Sequence, residues 1–198
     1  MVPVMTSKVL FTPDECRRIL NYQNTYVDLI YRKLEPHIDL ENRRVFTPRL
    51  KTTQIKAGKY FYVYDIPNDE ETNWFFNRAI DYFTQETGVK LNPHRPLYGA
   101  SLHRYTKGDY FSKHIDIDEE FSSRRYNIGI HLNNDYEGGD YYCWDHNKNE
   151  TIFSKEPGTV LIYTGDYLHE ITEITSGERW SIVMPIHENN LLEKKPLL

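Results

Sequence analysis

The hydrophobic positions of this chain follow two different rhythms. Over roughly the first 95 residues, apolar side chains recur at helical spacing, and after that they alternate. Thr12, Pro13, Asp14 and Glu15 have the form of a helix start: a Thr able to cap, a Pro at the first helical position and a Glu able to close a capping box. Cys16, Ile19, Leu20, Val27, Ile30 and Leu34 then recur at roughly helical spacing, so a first helix is expected from Thr12 to about Leu34, with Pro36 beyond its end. The aromatic run 60–64 reads as a strand that breaks at Pro67. A second helix, capped by Asn68 or Asp69, would pack Trp74, Phe75, Ala79, Ile80 and Phe83 into the core and end near Gly88.

From residue 98 onward eight short strands are expected, at 98–105, 110–116, 126–133, 139–144, 151–154, 159–163, 169–174 and 179–186. Eight short strands at this spacing suggest two facing antiparallel sheets. The predicted class is therefore α+β, mainly β: a double-stranded β-helix (jelly roll, cupin-like) with N-terminal helices packed on one sheet. No linker or repeat divides the chain. A single domain spanning 1–198 is expected, with 1–95 as a helical or mixed support, 96–187 as the jelly-roll core and 188–198 as a tail.

Composition narrows the class without naming a chemistry. The chain has 198 residues, 39% of them hydrophobic, enough for one substantial core. It has no run of twenty apolar residues and no leader-like N-terminus, so a cytoplasmic protein with no membrane partner is expected. Cys16 and Cys143 are too few for a disulfide framework and read as buried free thiols in a reducing compartment. A formal charge of −5 gives no basic footprint, so general nucleic-acid binding is not expected. The 16 tyrosines suit strands and wet pockets alike.

The candidate chemistry sits in 105–116, which ends in His114, Ile115 and Asp116. Residues two apart on a strand share a face, so His114 and Asp116 would point together while Ile115 enters the opposite core. A third ligand must come from another strand, and His169 lies within the strand-like stretch 159–171. Two neutral imidazoles and one carboxylate on one face of a metal leave positions open, the donor set of non-haem Fe(II) oxygenases. His37, His94, His103, His146 and His187 lack comparable positional support and read as surface or satisfied histidines.

An ordered set carries a family resemblance. It comprises Arg104, Tyr105, Gly108, Asp109, Tyr110, His114 and Asp116, then Leu132, Asn133, Gly138 and Gly139, then Pro157 and Gly158, His169 and Glu170, and finally Gly177, Glu178, Arg179, Trp180 and Ser181. Over about half of the chain this resembles the Fe(II)- and 2-oxoglutarate-dependent dioxygenases, in particular their prolyl 4-hydroxylase-like branch. The resemblance implies Fe(II) held by His114, Asp116 and His169, with 2-oxoglutarate and O2 as cosubstrates and ascorbate as a candidate reductant. It also implies hydroxylation of an unactivated C–H bond, coupled to decarboxylation of 2-oxoglutarate to succinate.

In such an enzyme Arg179, ten residues past the distal His, would anchor the far carboxylate, since its planar fork matches a carboxylate and stays charged in a pocket. Ser181 would share its strand face and add a hydroxyl. Tyr105 matches a tyrosine that relatives use at 2-oxoglutarate. His131 stands where some relatives have a tyrosine, on a strand whose polar face (Asn127, Gly129, His131, Asn133) is expected to look into the cavity. The presence of Asp116 argues against halogenation, and Pro185 occupies the position where nucleic-acid demethylases carry a second Arg. Peptidyl proline leads as substrate by resemblance, with a free amino acid or other small molecule as the alternative. The charged segments 41–53 and 118–125 are expected to form the substrate rim. From other classes, a zinc hydrolase on the same three ligands or a non-catalytic jelly-roll binding module remains open.

Overall fold

Helices, a large sheet and a small sheet are stacked in that order. The computed structural model describes residues 2–21, 62–66, 70–92, 100–117 and 123–192, and the statements that follow concern these. The strands are β1 (Met5–Val9), β2 (Tyr62–Asp65), β3 (Ser101–Thr106), β4 (Phe111–His114), β5 (Arg124–His131), β6 (Tyr136–Gly138), β7 (Tyr141–Trp144), β8 (Glu150–Phe153), β9 (Thr159–Thr164), β10 (Leu168–Ile171) and β11 (Ile174–His187). The large sheet runs β1-β9-β5-β11-β3-β2, with β6 added to the first part of β11; the small one runs β4-β10-β7-β8. All pairings are antiparallel. This is the expected double-stranded β-helix.

The helices cover the outer face of the large sheet. Residues 13–21 form α1. At its start the Thr12 backbone N–H donates to Glu15 at 2.9 Å and the Glu15 N–H donates to the Thr12 hydroxyl at 3.2 Å, the reciprocal box expected from the sequence. The rest of the expected first helix lies outside the described residues. Helix α2 spans Asn73–Thr87 and stops at Gly88, whose φ of 68° suits a residue without Cβ and whose N–H closes on Thr84 O at 2.8 Å. Its N-cap is Thr72, so it begins later than a cap at Asn68 or Asp69 would have it. Phe75, Phe76, Ala79 and Phe83 are buried, while Trp74 and Ile80 lie at the margin.

These side chains meet Tyr126, Ile128, Ile130 and Leu132 of the β5 region and Ile182, Met184 and Ile186 of β11 in one core. The alternation of 126–133 divides as expected up to the end of β5: large apolar residues face the helices while Asn127, Gly129 and His131 face inward, whereas Asn133, beyond the strand, bonds Glu178 O and the Trp180 N–H. Phe83 and Tyr126 pack edge to face with centroids 5.1 Å apart. Losing Phe83 should cost about 3–5 kcal/mol, as for other fully buried aromatics.

A second, aromatic core fills the space between the sheets. It contains Tyr105, Phe111, Tyr136, Tyr141, Phe153, Tyr163 and Tyr167 with Leu161, Ile171 and Ile174. Phenols suit this layer, since their rings pack while their hydroxyls serve a polar cavity.

Three elements depart from the sequence reading. Strand β1 arises where none is expected and pairs with β9, Met5 opposite Tyr163. The three-residue β6 pairs Tyr136 with Gly177. Strand β11 is continuous for 14 residues and joins the last residue of the expected strand 169–174 to the whole of the expected strand 179–186. Cys16 and Cys143 are buried free thiols. None of the described helices is long and apolar enough to cross a membrane.

Candidate active site

His114 ends β4, His169 lies on β10, and the pairing of the two strands sets these residues opposite each other. Asp116 does not continue β4. It sits in a bend two residues on, with its backbone N–H donating to Gly165 O at 3.2 Å. Ile115 is accordingly 46% exposed and not in the core, which corrects the strand-parity expectation: the strand ends at His114, and the bend turns Asp116 back toward it. The three donor atoms still converge, all within 4.8 Å of one another.

Hydrogen bonds fix the two imidazoles. His114 Nδ1 lies 2.7 Å from Ser112 O and His169 Nδ1 3.0 Å from Tyr167 O. A carbonyl can only accept, so each Nδ1 carries the proton and each Nε2 lone pair is turned to the cluster. His114 Nε2 is 3.5 Å from Asp116 Oδ1, and His169 Nε2 is 3.5 Å from Oδ2. The buried His114 Nε2 has no hydrogen-bond partner. A buried lone pair without a donor, beside a second one and a carboxylate, fits a divalent metal of the nitrogen- and oxygen-liganded kind. Ring stacking holds the set: Phe111 lies on His114 with centroids 3.6 Å apart, and Tyr141 is parallel to His169 at 5.9 Å.

The charge states suit ligation. Burial lowers His169 to about 4, against the pull of Asp116, so the imidazole is neutral at physiological pH. Burial works against charge on Asp116 too, but the neighbouring imidazoles and the Arg124 guanidinium hold its carboxyl well below the usual carboxylate range. Arg124 Nη1 is 2.9 Å from Oδ1, and Asn127 Nδ2 donates to Oδ2 at 2.7 Å. Tyr141 donates to Tyr163 at 2.7 Å, and Tyr163 approaches Oδ2 at 3.4 Å.

A cavity runs from Asn127 and Tyr163, both bonded to Asp116, to Arg179, Ser181 and His131, with Tyr141 on its wall. Arg179 is 1% exposed. Its Nη1 donates to Ser181 Oγ at 2.8 Å, as their shared strand face requires, and its guanidinium lies 5.3 Å from the Tyr105 ring centre. Arg179 Nε has no partner, and no ion pair among the described residues includes this side chain. A buried cation without an anion is costly, so the pocket is built for an anionic group. Tyr105 is fully buried and its phenol, pushed up by burial, stays protonated. His131 is buried as well, and its Nε2 meets the Tyr136 hydroxyl at 2.6 Å.

The seven sequence-derived site residues fall into two groups: His114, Asp116 and His169 converge on one another, while Arg179, Ser181 and His131 line the cavity with Tyr105 beside Arg179; Asn127 and Tyr163, on the cavity wall, link the groups through their bonds to Asp116. Sequence reasoning missed Arg124, Asn127, Tyr136, Tyr141 and Tyr163. Of these only Asn127 carried a signal, its place on the polar face of β5. The expected rim at 41–53 and at most of 118–125 lies outside the described residues.

Comparisons with known proteins bear on the family and the fold. Residues 100–187 match the model of the 2OG-Fe(II) oxygenase superfamily. A PKHD-type hydroxylase of Idiomarina loihiensis is 28% identical over 105 residues, covering 50% of this chain and 47% of the relative. The chain thus matches under half the length of such curated relatives. Among solved structures, a Pseudomonas putida prolyl-4-hydroxylase superposes with a TM-score of 0.61 at 15% identity, covering 93% of this chain and 92% of that one. A prolyl hydroxylase of Trichoplax adhaerens, in complex with a peptide fragment of the hypoxia inducible factor oxygen degradation domain, gives 0.61 at 14% identity, covering 93% and 83%. At such identities the likeness speaks for the jelly-roll fold.

Proposed function

As residues 100–187 belong to the 2OG-Fe(II) oxygenase superfamily, we propose that this protein is an Fe(II)- and 2-oxoglutarate-dependent dioxygenase that hydroxylates an unactivated C–H bond, with peptidyl proline as the leading substrate class. The observation that carries the proposal is the joint presence of a metal-ready His114, Asp116 and His169 cluster, bonded through Asn127 and Tyr163 to the wall of a cavity, and a buried Arg179 that lines the same cavity with no ion pair among the described residues. A zinc hydrolase would have no use for the second feature. When bound, the iron with 2-oxoglutarate and O2 would supply the oxidant, and ascorbate is the candidate reductant. The protein supplies geometry, charge and dryness.

His114 and His169 would hold Fe(II) through Nε2, because their Nδ1 protons are committed to backbone carbonyls. Arg124 and Asn127 keep Asp116 ionised and restrain its rotation, each occupying one carboxylate oxygen. Tyr141 donates to Tyr163 and Tyr163 in turn donates toward Asp116 Oδ2 at 3.4 Å, so the pair of hydroxyls ends on the carboxylate and helps keep it ionised. At the far end Arg179, with Ser181 behind it and Tyr105 alongside, would take the distal carboxylate of 2-oxoglutarate by a charge-assisted contact. The cavity is narrow and walled by rings, which excludes water from the reacting centre.

The peptide reading draws support from the Trichoplax enzyme, described in complex with a peptide fragment. A free amino acid or other small molecule is the second substrate class. The chain as one functional domain and a cytoplasmic setting complete the proposal, the latter supported by two buried free thiols. The test incubates purified protein with Fe(II), 2-oxoglutarate and a peptide pool or a metabolite pool, scoring succinate and oxygen-added products. Succinate formation that requires His114, Asp116 and His169 is expected. Wild-type protein that retains Fe(II) yet makes no succinate with either pool sinks it.

A further inference from the structure

Among the described residues, the cation of the anion pocket meets only neutral groups, and one of these neighbours, Tyr136, is tied to a buried histidine. Tyr136 reaches Arg179 from β6, where its pairing with Gly177 sets it on the strand neighbouring the anchor. Gly139 lets the two side chains close on each other: a Cβ there would lie 3.0 Å from Tyr136 Cε2 and 3.2 Å from Arg179 Cδ. The Tyr136 ring edge and the Arg179 stem thus meet over Gly139.

The link has a fixed direction. A guanidinium has only donors to offer, so the phenol proton is left for His131, which makes Nε2 the acceptor of the 2.6 Å contact with Tyr136. Burial and the nearby Arg179 both hold this imidazole well below its ordinary pKa, so it carries no proton of its own on Nε2. Tyr136 therefore donates to His131 and turns its oxygen lone pairs to Arg179. Without His131 the phenol could point either its proton or its lone pair at the guanidinium. With it, the phenol turns lone pairs to Arg179, Ser181 accepts from Nη1, and the partnerless Nε remains for a ligand.

We propose that Tyr136, oriented by neutral His131, is a positioning residue that sets the Arg179 fork for the distal carboxylate of a 2-oxo dicarboxylate, so that His131 acts through Tyr136 and not on the ligand. The proposal rests on the reading of this cavity as a 2-oxoglutarate pocket. It distinguishes two parts of the ligand: the 2-oxo acid end, which belongs to the metal, and the far carboxylate, which belongs to the Arg179, Tyr136 and His131 chain.

The experiment uses the full chain loaded with Mn(II) and calorimetric titration of two probes, 2-oxoglutarate and pyruvate, the second having the 2-oxo acid end without the far carboxylate. Tyr136→Phe keeps the ring packed at Gly139 and removes only the hydroxyl. It should weaken 2-oxoglutarate about tenfold, the size of a lost hydrogen bond to a charged group, and leave Mn(II) and pyruvate unchanged. His131→Phe should reproduce that loss, and His131→Gln, which keeps a neutral acceptor, should restore part of it. Added to Arg179→Ala, Tyr136→Phe should be silent, because the two act as one unit. Unchanged 2-oxoglutarate affinity in Tyr136→Phe overturns the proposal, as does an equal loss for both probes, which marks a general structural role. If the wild-type protein itself binds pyruvate but gains nothing from the far carboxylate, the pocket reading has failed, and the proposal falls with it.

Discussion

Asn127 donates its side-chain amide to Oδ2 of Asp116 at 2.7 Å, from the neighbouring sheet and across eleven residues of sequence. This bond crosses the gap between the layers at the metal end of the cavity. It restrains the one ligand of the three that is not on a strand, since Asp116 follows the end of β4 in a bend.

Asn127→Leu should therefore loosen the carboxylate without removing a ligand. A partner that orients a metal ligand is commonly worth 10–100-fold in metal affinity, and a loss of about tenfold is expected here, with Arg124 still bonded to Oδ1. Competition titration with Zn(II) or Mn(II) checks it. An affinity equal to wild type would show that the bend alone holds Asp116.

Arg179 should reveal a conflict between stability and ligand binding. Buried without an anion, it costs the ligand-free protein desolvation that Ser181 and the Tyr105 ring offset only in part, since no ion pair among the described residues includes it. Arg179→Met, similar in length and apolar, should leave unfolding in denaturant unchanged or raise stability by about 1 kcal/mol. The same change should weaken 2-oxoglutarate by about 1.5–3 kcal/mol, tenfold to more than a hundredfold. Arg179→Lys should fall between, keeping charge and losing the fork. A Met variant that is both less stable and equally good at binding would remove the anchor role.

How much of this was legible in the sequence depends on the kind of constraint. Alternation in 126–133 identified which face of β5 meets the helices, because a one-residue slip would turn Asn127 into the apolar core under the helices and Ile128 toward the polar cavity. It did not reveal where β4 stops, and so Ile115 was assigned to a core it never enters. Periodicity carries no information about a bend. Tyr136 stayed hidden for another reason: its strand is three residues long, and its importance arises from β11, 41 residues downstream of it at Gly177. The metal ligands and Arg179 were legible only as an ordered set, since none of them is unusual alone.

Acid should destabilise the metal-free protein, with a predictable window. His169 is held at about 4 and His131 well below its ordinary value, both first by burial, whereas both would titrate near 6.5 when unfolded. Below about pH 6.5 the unfolded chain takes up protons that the folded one refuses, so stability falls as pH drops. For His169 alone the loss reaches about 3 kcal/mol by pH 4. Asp116 acts in the same direction lower down: its contribution is present above the ordinary 3.8 and lost as pH falls further. Urea unfolding in the presence of chelator at a series of pH values tests this, and a flat profile between about pH 7 and 5 contradicts it. Bound metal should move the onset to lower pH only while the ligands remain deprotonated.

The two adjacent glycines should separate fold from ligand binding. Gly138 and Gly139 have φ of 72° and 65°, a region that costs a residue with Cβ about 1–2 kcal/mol. Their surroundings differ. A Cβ at Gly138 would lie 2.0 Å from Glu173 O, a backbone atom fixed beside the β6 and β11 pairing of Gly138 with Ile174. At Gly139 it would lie 2.4 Å from Ile174 Cδ1, the end of a side chain that can turn, and next would press on Tyr136 and Arg179. Gly138→Ala should consequently open the pairing and cost more than 3 kcal/mol of stability, strain and collision together. Gly139→Ala should cost less, on the order of 2 kcal/mol, yet displace the Arg179 side chain and weaken 2-oxoglutarate about tenfold with metal affinity intact. Thermal unfolding alongside calorimetry of each variant decides it. If both variants lose stability equally and Gly139→Ala binds 2-oxoglutarate normally, the close approach at Gly139 serves the turn alone and has no part in seating the anchor.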